Sequence, residues 1–144
     1  MKTLSILSLY FLLITTAHAA LEGDYQLFKG PTLCPIGTIS LRSDVKDKTR
    51  TLLFGSQLSW ILNMEDKSVV KEVVEGGCTY TTTYEKTENS FTSKTKRSSC
   101  PKKTENGDIN EMMELKNNKL TYQYEFISEA SKKTTYNCFY NKRI

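Results

Sequence analysis

The chain has 144 residues, a quarter of them charged, and a formal net charge of +4. That length holds one domain with a real core and is too short for two. The mild charge, with both signs intermixed, lacks the electrostatic footprint of a nucleic-acid partner, and the lone histidine leaves little material for a Ser-His-Asp or Cys-His centre.

The first nineteen residues read as a secretory signal. Lys2 opens a short charged region, residues 4–14 form an apolar run broken only by Ser5 and Ser8, and Ala17-His18-Ala19 offers the small-x-small pattern of a signal peptidase site. The run is too short and wrongly flanked to span a membrane. Cleavage after Ala19 leaves residues 20–144 as one domain, removes the only histidine, His18, and takes one positive charge, Lys2, with it. The expected destination is the secreted medium or a bacterial periplasm, and no Asn-x-Ser/Thr sequon occurs. There, Cys34, Cys78, Cys100 and Cys138 are expected to form two disulfides. Their wide spacing, without a CxxC or a histidine, argues against zinc and against thioredoxin-like redox chemistry.

Beyond the signal the dominant period is two, which marks strands. Residues 24–29 and 37–43 read as strands around a loop at 30–35, and residues 44–48 as a charged turn. Residues 50–54 and 58–64 pair around Gly55-Ser56, with Leu58, Trp60, Leu62 and Met64 on one face. Residues 68–75 fit a short helix capped by Ser68 and stopped by Gly76-Gly77, but their four valines favour a strand, which is the expectation. Residues 78–86 and 91–99 form a hairpin around a turn at 87–90. Centred on Asn89, that hairpin sets Cys78 opposite Cys100, predicting a cross-strand bridge and leaving Cys34 to pair with Cys138. Residues 100–108, with Pro101 and Asn106-Gly107, read as a loop.

Residues 111–116 and 120–126 join through Asn117-Asn118, a pair that tolerates positive φ. The register places Leu115 opposite Leu120 and Met113 opposite Tyr122. After a polar turn at 128–133, residues 134–141 return with Tyr136, Cys138 and Tyr140 on one face. The total is eight to ten antiparallel strands and little helix. The fold expected is all-β, an up-and-down meander curled into a closed or nearly closed barrel.

One face of the last meander carries Tyr122, Tyr124, Phe126, Tyr136 and Tyr140, with Trp60 and Tyr80 or Tyr84 able to join. As a pocket wall these rings give flat apolar contact, and their hydroxyls orient a ligand. As an ordinary core each buried hydroxyl needs a partner, which a partly wet cavity supplies more readily than a dry interior. The carboxylates Glu22, Asp24, Glu65, Asp66, Glu85, Glu88, Glu111 and Glu114 are scattered and read as solvated charges or turn residues, not as a catalytic pair. With no phosphate loop either, neither an enzyme nor a metal or other cofactor is expected. The run Lys94-Thr95-Lys96-Arg97, followed by Lys102-Lys103, reads as a solvated strand face whose lysines block edge pairing.

Leu21-Glu22-Gly23-Asp24-Tyr25 places Gly23-x-Tyr25 where lipocalins carry Gly-x-Trp on their first strand. With the strand rhythm of the whole domain and Cys138 in the last strand, the chain resembles the calycin superfamily, chiefly the lipocalins. The resemblance implies an eight-stranded barrel with a small apolar ligand inside. In size and compartment the chain is also similar to periplasmic lysozyme-inhibitor-type β-barrels, which bind an enzyme through a loop. The expectation is thus an exported monomer that holds one hydrophobic or amphipathic small ligand. The alternative is an exported protein-binding module with a filled core and working loops at 30–35 and 100–108.

Overall fold

The period-two pattern builds ten strands among the described residues. The computed structural model describes residues 21–46, 49–56, 58–63 and 70–143. The expected signal with His18, and the positions Met64, Ser68 and Val69, lie outside the described residues. The strands are β1 (Gly23–Lys29), β2 (Thr38–Lys46), β3 (Thr49–Phe54), β4 (Leu58–Asn63), β5 (Val70–Glu75), β6 (Cys78–Lys86), β7 (Ser90–Ser98), β8 (Gly107–Lys116), β9 (Lys119–Ser128) and β10 (Lys133–Lys142). They form one antiparallel sheet in the order β4-β3-β2-β1-β10-β9-β8-β7-β6-β5. Chain neighbours pair throughout except β4 and β5, and β1 pairs with β10, so the sheet curls into a nearly closed barrel. Its seam falls between the two edge strands, β4 and β5, and β4 approaches β6 across it. The lipocalin resemblance implied eight strands and full closure; ten strands and a seam are found.

The valine-rich segment is a strand, β5, as its β-branched side chains favour. The expected charged turn at 44–48 is corrected for residues 44–46, while residues 47–48 lie outside the described residues. β2 runs on through Lys46, with Asp44 opposite Thr51 and Lys46 opposite Thr49. Asp44 and Lys46 are exposed and keep the two-residue alternation, so their charges ride an outer face instead of marking a turn. Asn117 and Asn118 both take left-handed φ, 51° and 58°, and the hairpin they make has the expected register, Leu115 opposite Leu120 and Met113 opposite Tyr122.

Both disulfides pair as expected, Cys34–Cys138 and Cys78–Cys100. The register behind the second is corrected by half a residue. Tyr80 faces Arg97 and Tyr84 faces Ser93, so the hairpin is centred between Glu88 and Asn89 rather than on Asn89. Straight pairing would then set Cys78 against Ser99. Ser99 instead takes a left-handed φ of 56°, which ends the strand and swings Cys100 to within 4.1 Å of Cys78, Cα to Cα. The loop expected at 100–108 includes one 3-10 turn, Lys103–Glu105, and gives way to β8 at Gly107.

One end of the barrel is packed solid. Leu21, Tyr25, Leu41, Leu52, Phe54, Leu120, Cys138 and Tyr140 are completely buried there. Each such aliphatic or aromatic side chain contributes about 1.5–3 kcal/mol by leaving water. Phe54 meets Tyr140 edge-on at 5.3 Å. Leu21 closes the end: its N–H donates to the Glu88 carbonyl at 3.0 Å, and the Tyr25 hydroxyl donates to the Leu21 carbonyl. On the β1–β2 side the loop at 30–37 is drawn inward by Cys34, and the Tyr140 hydroxyl donates to the Pro35 carbonyl at 3.2 Å.

This burial makes stability sensitive to alkali. Burial pushes the Tyr25 and Tyr140 hydroxyls well above their ordinary pKa of 10; Tyr122 rises for the same reason, helped by the nearby Glu111 charge. A folded-state pKa raised this way leaves stability intact below pH 10. Above it the unfolded chain loses protons that the native state keeps, and stability falls by roughly 1.4 kcal/mol per pH unit for each such tyrosine. Urea midpoints are thus expected to be flat from pH 8 to 9.5 and to drop steeply towards pH 11. Tyr25→Phe should flatten that drop; an unchanged midpoint at pH 11 contradicts the burial.

Candidate functional site

Register stacks the inward-facing residues of β6 to β10 in layers. Lys86, Phe91, Met113, Tyr122 and Cys138 lie side by side on the five strands and form a floor. Above them run Tyr84, Ser93, Glu111, Tyr124 and Tyr136, and above those Thr82, Thr95, Ile109, Phe126 and Thr134. The floor is closed by large side chains, with Phe91 and Met113 fully buried. The upper layers thin out into Ser, Thr and Ile, and a cavity of about 450 Å³ opens. Its walls include Leu58, Ser59 and Trp60 of β4 and Tyr80, Thr82 and Tyr84 of β6, so it lies against the seam; Ile109, Glu111 and Tyr124 complete the far side. The volume falls in the range of about 300–1,000 Å³ usual for small-molecule sites.

Glu111 is the chemical centre of this cavity. Its Oε2 accepts from Trp60 Nε1 at 3.1 Å and from the Ser93 hydroxyl at 2.8 Å; its Oε1 accepts from the Tyr122 hydroxyl at 2.7 Å. Three donors compensate a half-buried carboxylate for the water it has lost. Every one of those donors is uncharged, so the negative charge itself is not neutralised by them. The charge is felt around the cavity: burial and Glu111 together raise the pKa values of Tyr84, Tyr122, Tyr124 and Tyr136. Two groups of rings flank the carboxylate. On one side Phe91 packs at 4.7 Å from Trp60 and 6.2 Å from Tyr84; on the other Tyr136 stacks on Tyr124 at 4.9 Å and meets Tyr122 at 6.2 Å.

Arg97 stands one inward position beyond Thr95, opposite Tyr80. Its guanidinium lies 5.6 Å from the Tyr80 ring centre and pairs with Glu105 at 3.3 Å. Its Nε is the one buried side-chain nitrogen or oxygen among the described residues with no hydrogen-bond partner. The reading of 94–97 as a solvated face holds for Lys94 and Lys96, which are exposed, and is corrected for Arg97, which alternation turns inward. One cluster among the described residues has metal-ligand geometry, Cys78, Cys100 and Glu105, but its two sulfurs are consumed in a disulfide. Among the described residues no helix is long and apolar enough to cross a membrane.

Comparison with protein-family models, with curated proteins and with solved structures gave no match to this chain. The architecture itself, an all-β and nearly closed antiparallel barrel, is compatible with a lipocalin-like fold.

Of the residues singled out as a pocket wall, the structure brings Trp60, Tyr80, Tyr84 and Tyr124 together around the cavity. Tyr136 backs Tyr124, and Tyr122 sits in the floor with its hydroxyl turned to Glu111. Phe126 lies one layer higher on the same face, and Tyr140 belongs to the packed end. Sequence reasoning missed Glu111 and Arg97. The signal for Glu111 was present: stepping back by two from Leu115 and Met113 leads to Glu111 on the inward face.

Proposed function

We propose that this is an exported binding protein, lipocalin-like in architecture, that carries one small amphipathic ligand in the hollow half of its barrel. The observation that carries this reading is the cavity of about 450 Å³ with aromatic walls and a hydrogen-bonded carboxylate inside it. Flat rings supply apolar contact while the Thr82 and Thr95 hydroxyls, 2.9 Å apart, and Glu111 fix orientation. The signal-like first nineteen residues and two disulfides support an oxidising, extracytoplasmic destination.

A second reading, a protein-docking module, has one observation in its favour. The loop at 30–37 is pinned by Cys34 yet leaves Leu33 and Ile36 exposed at 65% and 80%, beside Phe28 at 53%. One titration separates the two readings. N-phenyl-1-naphthylamine, an uncharged fluorescent probe of apolar cavities, is expected to bind with one-to-one stoichiometry. Ile109→Trp, which fills the cavity, should weaken binding at least tenfold, whereas Leu33→Ser with Ile36→Ser should leave it unchanged. If the wild type fails to bind the probe, or the loop variant alone loses it, the cavity reading is wrong.

A further inference from the structure

The exposed large hydrophobic side chains among the described residues fall in one place. Phe28, Leu33 and Ile36 are exposed at 53%, 65% and 80%, at the end of β1 and in the loop that follows it. Phe139 of β10 lies beside Phe28 on the outer face, ring centres 6.3 Å apart, and extends the patch. Single apolar residues scattered over a surface need no explanation, but a contiguous group marks a contact site.

The loop cannot fold this group away, because its other residues are held inward. Cys34 is bonded to Cys138, its N–H donates to the Pro31 carbonyl at 3.0 Å, and the Pro35 carbonyl accepts from the Tyr140 hydroxyl. A Cβ at Gly30 would collide with Cys34 Sγ, so the loop closes tightly on its bridge. With the backbone pinned this way, Leu33 and Ile36 stand out in water.

Charge says what the patch meets. Residues 26–38 and 134–143, the two stretches that the bridge joins, carry Lys29, Lys142 and Arg143 and no carboxylate. The first carboxylates met on the adjoining parts of β1 and β9 are Asp24 and Glu125. Each is matched by a cation of its own, Arg42 and Lys133, so the positive excess stands. Apolar tips beside cations fit the surface of an anionic bilayer, where the tips enter the acyl boundary and the cations meet lipid phosphates. A protein-binding patch is typically anchored by Trp, Tyr or Arg at its centre, whereas Phe, Leu and Ile stand here.

Beyond the ligand cavity and independently of it, we infer that the segment 28–36 docks the protein on an anionic lipid surface. Leu33 and Ile36 insert, and Lys29 and Arg143 lie at the headgroups.

The test is co-sedimentation of the intact protein with vesicles of phosphatidylcholine alone and of phosphatidylcholine with about one-third phosphatidylglycerol. The mixed vesicles are expected to bind at least tenfold more tightly, and added salt should weaken them. Leu33→Ser with Ile36→Ser should lose at least tenfold of that affinity, with an unchanged urea midpoint because both positions are exposed. Lys29→Glu should weaken binding several-fold. In Leu33→Trp, tryptophan emission should move to the blue on the mixed vesicles. Equal binding to both vesicles, or undiminished binding by the serine pair, overturns the inference. Binding to neither vesicle overturns it too and returns the loop to the protein-docking reading. A dimer in sedimentation equilibrium that the serine pair abolishes would assign the patch to a second copy of the chain instead.

Discussion

Replacing Cys34 and Cys138 together by alanine is expected to lower the unfolding free energy by about 4.7 kcal/mol, the largest effect in the molecule. The bridge joins residues 104 apart, so it removes a very large loop from the unfolded ensemble. The Cys78–Cys100 bridge closes only 22 residues and is expected to contribute about 3.4 kcal/mol on the same chain-entropy scale. The long-range bridge also holds the 30–37 loop where the Tyr140 hydroxyl reaches Pro35, so its loss loosens a native contact as well. Against a typical total of about 5–15 kcal/mol, either loss is severe. Urea unfolding of the two double-alanine variants checks the ranking. A smaller cost for Cys34 and Cys138 than for Cys78 and Cys100 contradicts it.

Phe91→Ala is expected to destabilise by about 3–5 kcal/mol. Phe91 is fully buried, packs against Trp60 and Tyr84, and faces Met113 across β7 and β8. It separates the solid end of the barrel from the hollow one, so its removal extends the cavity downward instead of letting the walls collapse. Phe126, two layers above Phe91, is only half-buried, and Phe126→Ala should cost roughly 1–2 kcal/mol. Equal costs at the two positions, read from urea midpoints at constant slope, would show that the barrel is filled evenly along its length.

Much of the fold was legible because sheet register is a local matter. Alternation from Leu120 to Phe126 needs only the two-residue pleat, and the Asn117-Asn118 turn fixes its partner strand. The Cys78–Cys100 pairing was legible too, although the half-residue offset was not. That offset depends on Ser99 adopting a left-handed φ, which its residue type does not announce. The start of the charged turn, placed at residue 44, failed for a related reason: exposed Asp44 and Lys46 on a strand look like turn residues unless the phase of Ile39 and Leu41 is carried forward.

The site was legible only in part. The aromatic stripe gave Trp60, Tyr80, Tyr84 and Tyr124, because large rings at period two must face an interior. Whether that interior is full or hollow depends on what stands across the barrel, and Thr82, Thr95 and Ile109 come from three different strands. Glu111 was hidden because a lone glutamate in a polar sequence is far more often a surface charge. Only the donors that converge on it from β4, β7 and β9 distinguish it.

A native mass spectrum of the protein purified without denaturant from the cells that make it tests the central claim most directly. The account predicts a single bound small molecule that is released on unfolding, rebinds on refolding, and is absent from Ile109→Trp. A spectrum showing only the bare polypeptide mass, unchanged when the cell extract is added back, would contradict it.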